Sequence, residues 1–487
     1  MGHDGMRPID YRHRSLPTTS TVTSMIERFL INRRYARLWA GQATSLLGDA
    51  VFDTTLILWV ATILAKHDGR TASWAPIAVG GLTAAVGAAV LTVGPLSGVF
   101  VDRWNRRRTM LRTEILRMIV VGALTVISLL PVHALPVGVW LAFIYLVVFV
   151  VNGSGQFFNQ SRFAVIGEVV DGPVERARAA GIGQATIGAV SIVGPPLAAP
   201  LLFTFGLQWA LVLDTLSYAV SFAMIRSVRL TPADVPDVVD AESERPNFVR
   251  ELGAGLRWFA GNRFMKRLLY GFLLASLGAG ALTSLMIFFI TDNLHASPKL
   301  LGIVETLFGA GAIAGALLSG WFVKLLGARR MLWIGMLIAG VLVVVLARQT
   351  AFVAALVLFA AISLPVIAYN TALTPVLLAH TPKEYLGRMQ SVLNPALQVS
   401  TMASVLLSGW LASTVLQGFH GHVAGIAIGP YDTVFTVCGL LVVAAATYLA
   451  IALPHDRQPQ PSTHDATPTP QHPAPRTPSI PRTPAKP

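Results

Sequence analysis

A chain of 487 residues in which 54% are apolar and only 13% charged, with a mean hydropathy of +0.61, is too oily for an ordinary soluble domain. That composition points to an integral membrane protein and sets aside soluble enzymes and disordered scaffolds. A formal charge of +13 raises the question of a nucleic-acid partner, and the placement of the cations answers it.

About 20 mostly apolar residues cross a bilayer as a helix. Twelve such stretches are predicted, at 38–64, 74–100, 109–131, 137–159, 179–205 and 208–226, then 268–291, 300–323, 330–347, 351–379, 388–416 and 432–453. The expected fold is therefore all-α and membrane-embedded, as two six-helix bundles. On this map the 37 lysines and arginines alternate between the two sides. Only Lys66, Arg70, Lys299 and Arg348 lie opposite the termini, and Arg117 falls inside a span. Cytoplasmic loops collect positive charge, so both termini are expected in the cytoplasm of a cell-membrane protein. The charge reports topology and anionic lipid, not nucleic acid. The single cysteine, Cys438, leaves no intramolecular disulfide, and the polar first thirty residues carry no cleavable signal, so the first span is expected to stay as an anchor.

Residues 1–34 form a polar cytoplasmic segment in which Met25 to Tyr35 fits a basic surface helix. The first bundle, 35–229, opens with a span carrying Gly48, Asp49 and Asp53. A spacing of four puts both carboxylates on one helix face, and an ionised acid among lipid tails is costly, so that face belongs in the bundle or a wet cavity. Asp49 and Asp53 are candidates for proton coupling, against a buried hydrogen-bonded pair or an Asp53 near the outer headgroups. Gly94-x-x-x-Gly98 and Gly311-x-x-x-Gly315 predict close helix approach.

Between the second and third spans runs Leu96-Ser-Gly-Val-Phe-Val-Asp102-Arg103-Trp-Asn-Arg-Arg107-Arg108-Thr-Met-Leu111, and from Leu318 the text repeats as Leu-Ser-Gly-Trp-Phe-Val-Lys324-Leu-Leu-Gly-Ala-Arg-Arg-Met-Leu. A repeated turn in each half indicates duplication. Glu114 and Arg117 follow three residues apart and are expected to pair with each other or with the arginine turn. Asn152 and Gln156 are uncharged candidates for a substrate cavity; Asn159 follows them before Arg162. The fifth span holds Gly194-Pro195-Pro196, a kink and close-packing signal, and Asp214 is expected toward the outer part of the sixth.

Residues 230–266 form a cytoplasmic linker in which Val249, Leu252, Leu256 and Phe259 share a face, predicting an amphipathic helix on the inner membrane surface. The second bundle, 267–453, has one carboxylate well inside a span, Glu305, a third proton-coupling candidate. Asn370, Asn394 and Gln398 are further cavity candidates, with helix-to-helix bonding as the plainer alternative. The tail from 454 to 487 is rich in proline and is expected to be disordered.

Gly98, Asp102, Arg103, Arg107 and Arg108 resemble motif A of the major facilitator superfamily. Asn32-Arg33-Arg34-Tyr35-Ala36-Arg37-Leu38-Trp39-Ala40-Gly41-Gln42, Ser45-Leu46-Leu47-Gly48-Asp49, Gly94-Pro95-Leu96, Asn159-Gln160-Ser161-Arg162 and Leu213-Asp214-Thr215-Leu216-Ser217-Tyr218 are similar to its third drug-proton antiporter branch, which includes macrolide, multidrug and enterobactin exporters. The resemblance implies a twelve-span secondary transporter that works by alternating access and needs no cofactor beyond a proton gradient. It implies that the turn closes the cytoplasmic side in the outward-open state, with Asp102 set against the start of the eleventh span after Gly387 and Arg388. An acid at a helix N-terminus and arginines facing carboxylates or lipid phosphates are physically suited to that gate. Glu114 and Arg117 join it as structural or gating residues. The chain departs from the pattern at Lys324, in the absence of a basic residue deep in the fourth span, and at Ala198-Ala199 after the Gly-Pro core.

The function expected is proton-coupled efflux of a lipophilic or amphipathic drug, antibiotic or similar product by a monomer whose partners are the small molecule, protons and membrane lipids. Siderophore export, lipid flipping or nutrient import on the same fold are the alternatives, and a non-transporting receptor stands further off. No phosphate loop, Cys-His ligand set or His-Glu-x-x-His motif points to an enzyme, and His420 with His422 reads as a solvated loop pair.

Overall fold

The computed structural model describes residues 31–67, 70–101, 104–228, 257, 261–381, 386–419, 421–423 and 426–453. The basic N-terminal segment, the amphipathic linker helix, the proline-rich tail, Asp102, Arg103 and His420 lie outside the described residues.

Among the described residues twelve long helices follow one another: α1 Arg33–Trp59, α2 Ala75–Val101, α3 Arg106–Ile127, α4 Val137–Val169, α5 Pro173–Pro200 and α6 Leu207–Ser227, then α7 Arg263–Phe288, α8 Leu301–Leu326, α9 Ala328–Ala347, α10 Phe352–His380, α11 Leu386–Trp410 and α12 Pro430–Ala452. Eleven are long and apolar enough to cross a membrane. The exception is α3, whose first turns carry Arg106, Arg107, Arg108, Arg112, Glu114 and Arg117. Two short antiparallel ladders, Lys66–His67 with Arg70–Thr71 and Gly421–Val423 with Ile426–Ile428, decorate loops at one end. The helices also outrun their apolar cores. α4 continues ten residues past the expected 159, and α5 starts six before the expected 179, because polar turns beyond the hydrocarbon zone keep forming helix.

Neighbours repeat with an offset of six. In the first half the packing order is α2, α4, α3, α6, α1, α5, and in the second it is α8, α10, α9, α12, α7, α11. Four helices, α1, α5, α7 and α11, end in a five-residue π turn, at Val60–Leu64, Leu201–Phe205, Phe289–Asn293 and Leu411–Val415. These are corresponding helices of the two halves, so the duplication extends to backbone irregularities.

The duplication reaches side chains too. Asn32 caps α1 by accepting from the Tyr35 amide at 2.7 Å, and Asn262 caps α7 by accepting from the Phe264 and Met265 amides at 3.0 and 3.2 Å. Arg37 donates to the Ser227 carbonyl at 3.1 Å and Arg107 to the Arg226 carbonyl at 2.6 Å, so two arginines hold the end of α6. Arg267 donates to the Ala452 carbonyl at 2.8 Å, and Arg329 donates to the Leu453 carbonyl, repeating the arrangement at α12. Final carbonyls of a helix lack intrahelical donors and carry partial negative charge, so cations there satisfy both needs. Small residues permit the closest helix crossings. At α9 against α12, a Cβ on Gly340 would stand 2.9 Å from the Gly439 carbonyl oxygen, and one on Gly439 would stand 2.8 Å from that of Gly340.

The end at which α1 begins and α12 stops is called the terminal end, and the opposite one the far end. The halves meet through α5 with α8 and α2 with α11. Both seams are tight toward the far end. A Cβ on Gly302 would lie 2.6 Å from the Pro195 carbonyl oxygen, one on Gly409 would lie 2.9 Å from that of Pro76, and one on Gly80 would lie 3.1 Å from that of Val405. The Ile77 amide donates to Ser413 Oγ at 3.1 Å, and Thr306 Oγ1 donates to the Ile192 carbonyl at 3.0 Å. Toward the terminal end the contact stops. On α5, Gly188 still touches Ile313, while a Cβ on Gly183 or Gly181 would meet nothing within 4 Å. On α2, Gly87 touches Met402 and Gln398, Gly94 meets only Gln156 of its own half, and Gly98 meets nothing. Among the described residues the halves are closed at the far end and parted at the terminal end.

Candidate functional site

Midway along α1, Gly48 and Asp49 face α6. A Cβ on Gly48 would stand 2.5 Å from Asp214 Oδ1 and 2.3 Å from Ser217 Oγ, so only glycine lets α6 come this close. The approach brings together Asp49, Asp214 and Tyr218. The Tyr218 hydroxyl donates to Asp49 Oδ1 at 2.6 Å, and Ser217 Oγ lies 3.3 Å from Asp214 Oδ1. Arg117 of α3 reaches in from the third side. Its Nη1 is 4.0 Å from Asp49 Oδ2, its Nε donates to Ser154 Oγ at 3.1 Å, and its guanidinium lies over the Phe158 and Tyr218 rings at 5.4 and 5.6 Å. Glu114, one turn earlier on α3, is fully buried and accepts from Ser221 Oγ at 2.8 Å. Its Oε2, like Asp214 Oδ2, has no hydrogen-bond partner.

Asp53 sits one turn beyond Asp49 toward the far end, within electrostatic reach of both Asp49 and Glu305. Thr54 Oγ1 donates to Glu305 Oε2 at 3.3 Å. That bond joins α1 of the first half to α8 of the second, so Asp49, Asp53 and Glu305, with Asp53 in electrostatic reach of the other two, gather at the seam. Carboxylates gathered where the two halves meet are candidates for holding and releasing protons.

The gate residues divide. Arg107 clamps α6 through the Ile225 and Arg226 carbonyls at 3.4 and 2.6 Å. Arg106 pairs with Glu168 of α4. Asn105 caps α3, and Arg108 is exposed. Gly98 faces open space, and of Arg388 only the backbone, in the first turn of α11, is described. Glu114 and Arg117, expected to pair with each other or with the turn, stand within electrostatic reach of each other and also engage Ser221 and Asp49, because α6 and α1 pack onto the face of α3 that carries them. Asp214, expected toward the outer side of its span, lies level with Asp49 in the buried network. The matching turn of the second half is a single Gly327 with φ 78°, a conformation that favours glycine, and Lys324 is exposed.

The uncharged candidates are scattered. Asn152 donates to the Val148 carbonyl at 3.0 Å and Asn370 to that of Val366 at 2.9 Å, each along its own helix. Gln156 approaches Gly94 of α2, Gln398 lies against Gly87 across the seam, and Asn394 is exposed.

Two six-helix halves, repeated in packing order and, among the described residues, packed together at the far end, with carboxylates along the seam, define a helical membrane transporter. The chain belongs to the Major Facilitator Superfamily, whose profile it matches over residues 38–290 and again over 268–485, once for each half. It is 24% identical over 390 residues to macrolide efflux protein A of Streptococcus pyogenes, covering 78% of this chain and 90% of that protein. Its fold is similar to that of the nucleoside transporter NupG, with a TM-score of 0.63 at 14% identity, covering 87% of this chain and 100% of that one. A bacterial homologue of the iron transporter ferroportin in an inward-facing state is similar too, with a TM-score of 0.64 at 12% identity over 87% of this chain and 99% of that one.

Proposed function

We propose that the chain is a proton-coupled exporter of lipophilic or amphipathic small molecules of the antibiotic class, working by alternating access in the cell membrane with the terminal end in the cytoplasm. The observation that carries this reading is the Thr54 to Glu305 bond beside Asp53, where an acid of one half is bonded to the other half at the seam that must open. Discharging or charging an acid there changes the relative stability of the two orientations, and a differential of about 5.5 kcal/mol reverses a population ratio from 1:99 to 99:1. Support for efflux comes from the likeness to macrolide efflux protein A, and support for an inward-open resting form comes from the parted terminal end.

Asp49 is the entry to the relay. It retains partial exposure, with 29% of its side chain accessible, whereas Asp214 behind it is sealed. Arg117, balanced between Asp49 and Ser154, positions that carboxylate in place of the deep basic residue missing from the fourth span.

The reading is tested by reconstituting the protein in liposomes and following a radiolabelled macrolide. Outward-directed transport driven by an imposed pH gradient and stopped by its collapse supports it. Macrolide binding without flux favours a receptor, and flux indifferent to the pH gradient removes proton coupling.

A further inference from the structure

Arg162 has no role in the network above. It lies on α4 toward the terminal end and is 7% exposed, yet its Nε has no hydrogen-bond partner. The guanidinium lies 4.5 Å from the centre of its neighbour Phe163, and no described carboxylate forms an ion pair with it. Glu168, the acid closest to it along the helix, is taken by Arg106. A buried cation without a counter-charge is costly in any protein, and more so near a bilayer.

Arg162 lines a cavity of about 430 Å³ between α1, α4 and α5. Arg176 lines it as well, and is held there by donating its Nε to the Val170 carbonyl at 3.0 Å and Nη2 to that of Gly167 at 2.9 Å. Buried Gln42 adds an amide, and Phe163, Ile166 and Ile187 give an apolar wall. Tyr35 Oη, within electrostatic reach of Arg162, spends its proton on the Ala179 carbonyl at 3.0 Å and so brings no counter-charge. With Gln184 the lining thus offers two guanidinium groups, two amides and an oily wall, a set that fits a phosphate head joined to an apolar body.

We propose that this cavity is a binding site for the phosphate group of an anionic amphipath, with Arg162 as its principal ligand and Arg176 at its side. The phosphate supplies the counter-charge that the protein withholds from Arg162. The site is separate from the carboxylates Asp49, Asp53 and Glu305 and holds whatever the exported compound is. Two sources carry this chemistry, the headgroup of a membrane lipid and a free phosphate, and the experiment separates them.

The purified full-length protein is placed in nanodiscs of phosphatidylcholine and its thermal midpoint is measured alone, with phosphatidylglycerol in the disc, and with inorganic phosphate in the buffer. The midpoint of the parent protein is expected to rise with phosphatidylglycerol, because a ligand that binds only the folded state stabilises it. A rise with phosphatidylglycerol alone assigns the lipid source, and a rise with inorganic phosphate as well assigns a site for the free ion. Arg162→Gln removes the uncompensated charge, so its midpoint in phosphatidylcholine alone is expected to equal or exceed that of the parent. It is expected to lose the response to both probes, with apparent affinity weakened by about tenfold or more. Arg162→Lys, which keeps the charge without the planar fork, is expected to give a reduced, nonzero response and serves if the glutamine variant cannot be purified. Arg330→Gln, on an exposed arginine of α9, is expected to respond like the parent. No response of the parent protein to either probe, or equal responses in the parent and the Arg162 variants, would overturn the proposal.

Discussion

Adding one methyl group at Gly302 is expected to unlock the far end. The new Cβ would stand 2.6 Å from the Pro195 carbonyl oxygen and 2.8 Å from the Pro196 Cα, both backbone atoms of α5 that cannot turn aside. Overpacking a tight contact costs about 1–3 kcal/mol. The strain exists only while α8 presses on α5, so it falls on the closed far end and spares the state in which that end is open. A shift of about 2 kcal/mol between the two states changes their ratio by about 30-fold. Gly309→Ala is the internal control: its Cβ would first meet the movable Ile192 Cγ1, at 3.2 Å, so a smaller shift is expected. Spin labels on Ala134→Cys and Lys299→Cys, in a Cys438→Ser background, report the separation of the halves at the far end. Electron-electron resonance should show a longer distance gaining population in Gly302→Ala and less so in Gly309→Ala. An unchanged distribution in a folded Gly302→Ala protein would refute the assignment of this seam as the moving contact.

Arg107→Ala and Arg329→Ala each free a carbonyl at the end of the sixth helix of their half, and each should lower thermal stability by about 1 kcal/mol, while Arg330→Ala stays within about 0.5 kcal/mol by the same melting assay. Tyr218→Phe removes the 2.6 Å bond to Asp49 and is expected to cost about 1–3 kcal/mol, read from denaturant unfolding in mild detergent; no loss would show that the phenol is not holding the carboxylate. Because Gly327 makes the second turn with Lys324 exposed, Asp102→Asn should slow transport more than Lys324→Gln; equal losses would count against two unlike turns.

Apolar length alone located the helices, since nothing but a helix satisfies its own backbone in a bilayer. It was least informative at α3, where arginines needed as clamps interrupt the oily run, and at α4 and α5, whose ends extend past the membrane in polar sequence. The repeated text at Leu96 and Leu318 signalled the duplication, and the arginines at 107 and 329 hold corresponding positions in it, but which carbonyls they bind depends on where α6 and α12 stop. For the site, intramembrane charge marked Asp49, Asp53 and Glu305 one by one. Their meeting depends on where the packing of α5 on α8 leaves α1, which no spacing within one helix encodes. Asp214 was not legible as a neighbour of Asp49, because a position along a span does not tell which helix faces it. Gly48 beside Asp49 was the available sign that another helix comes close there. Arg162 was legible only as a cation near a loop; its burial and its missing partner follow from the fold.

The proposed proton path reaches the seam between the halves through Asp49, Asp53 and Glu305. It is tested most directly by measuring proton movement with substrate movement in the same liposomes, for the parent protein and for Asp49→Asn, Asp53→Asn and Glu305→Gln. The parent is expected to move protons inward as the compound moves outward, whereas Asp53→Asn and Glu305→Gln still bind and exchange the compound but no longer accumulate it against its gradient. Full gradient-driven accumulation in all three variants would contradict it.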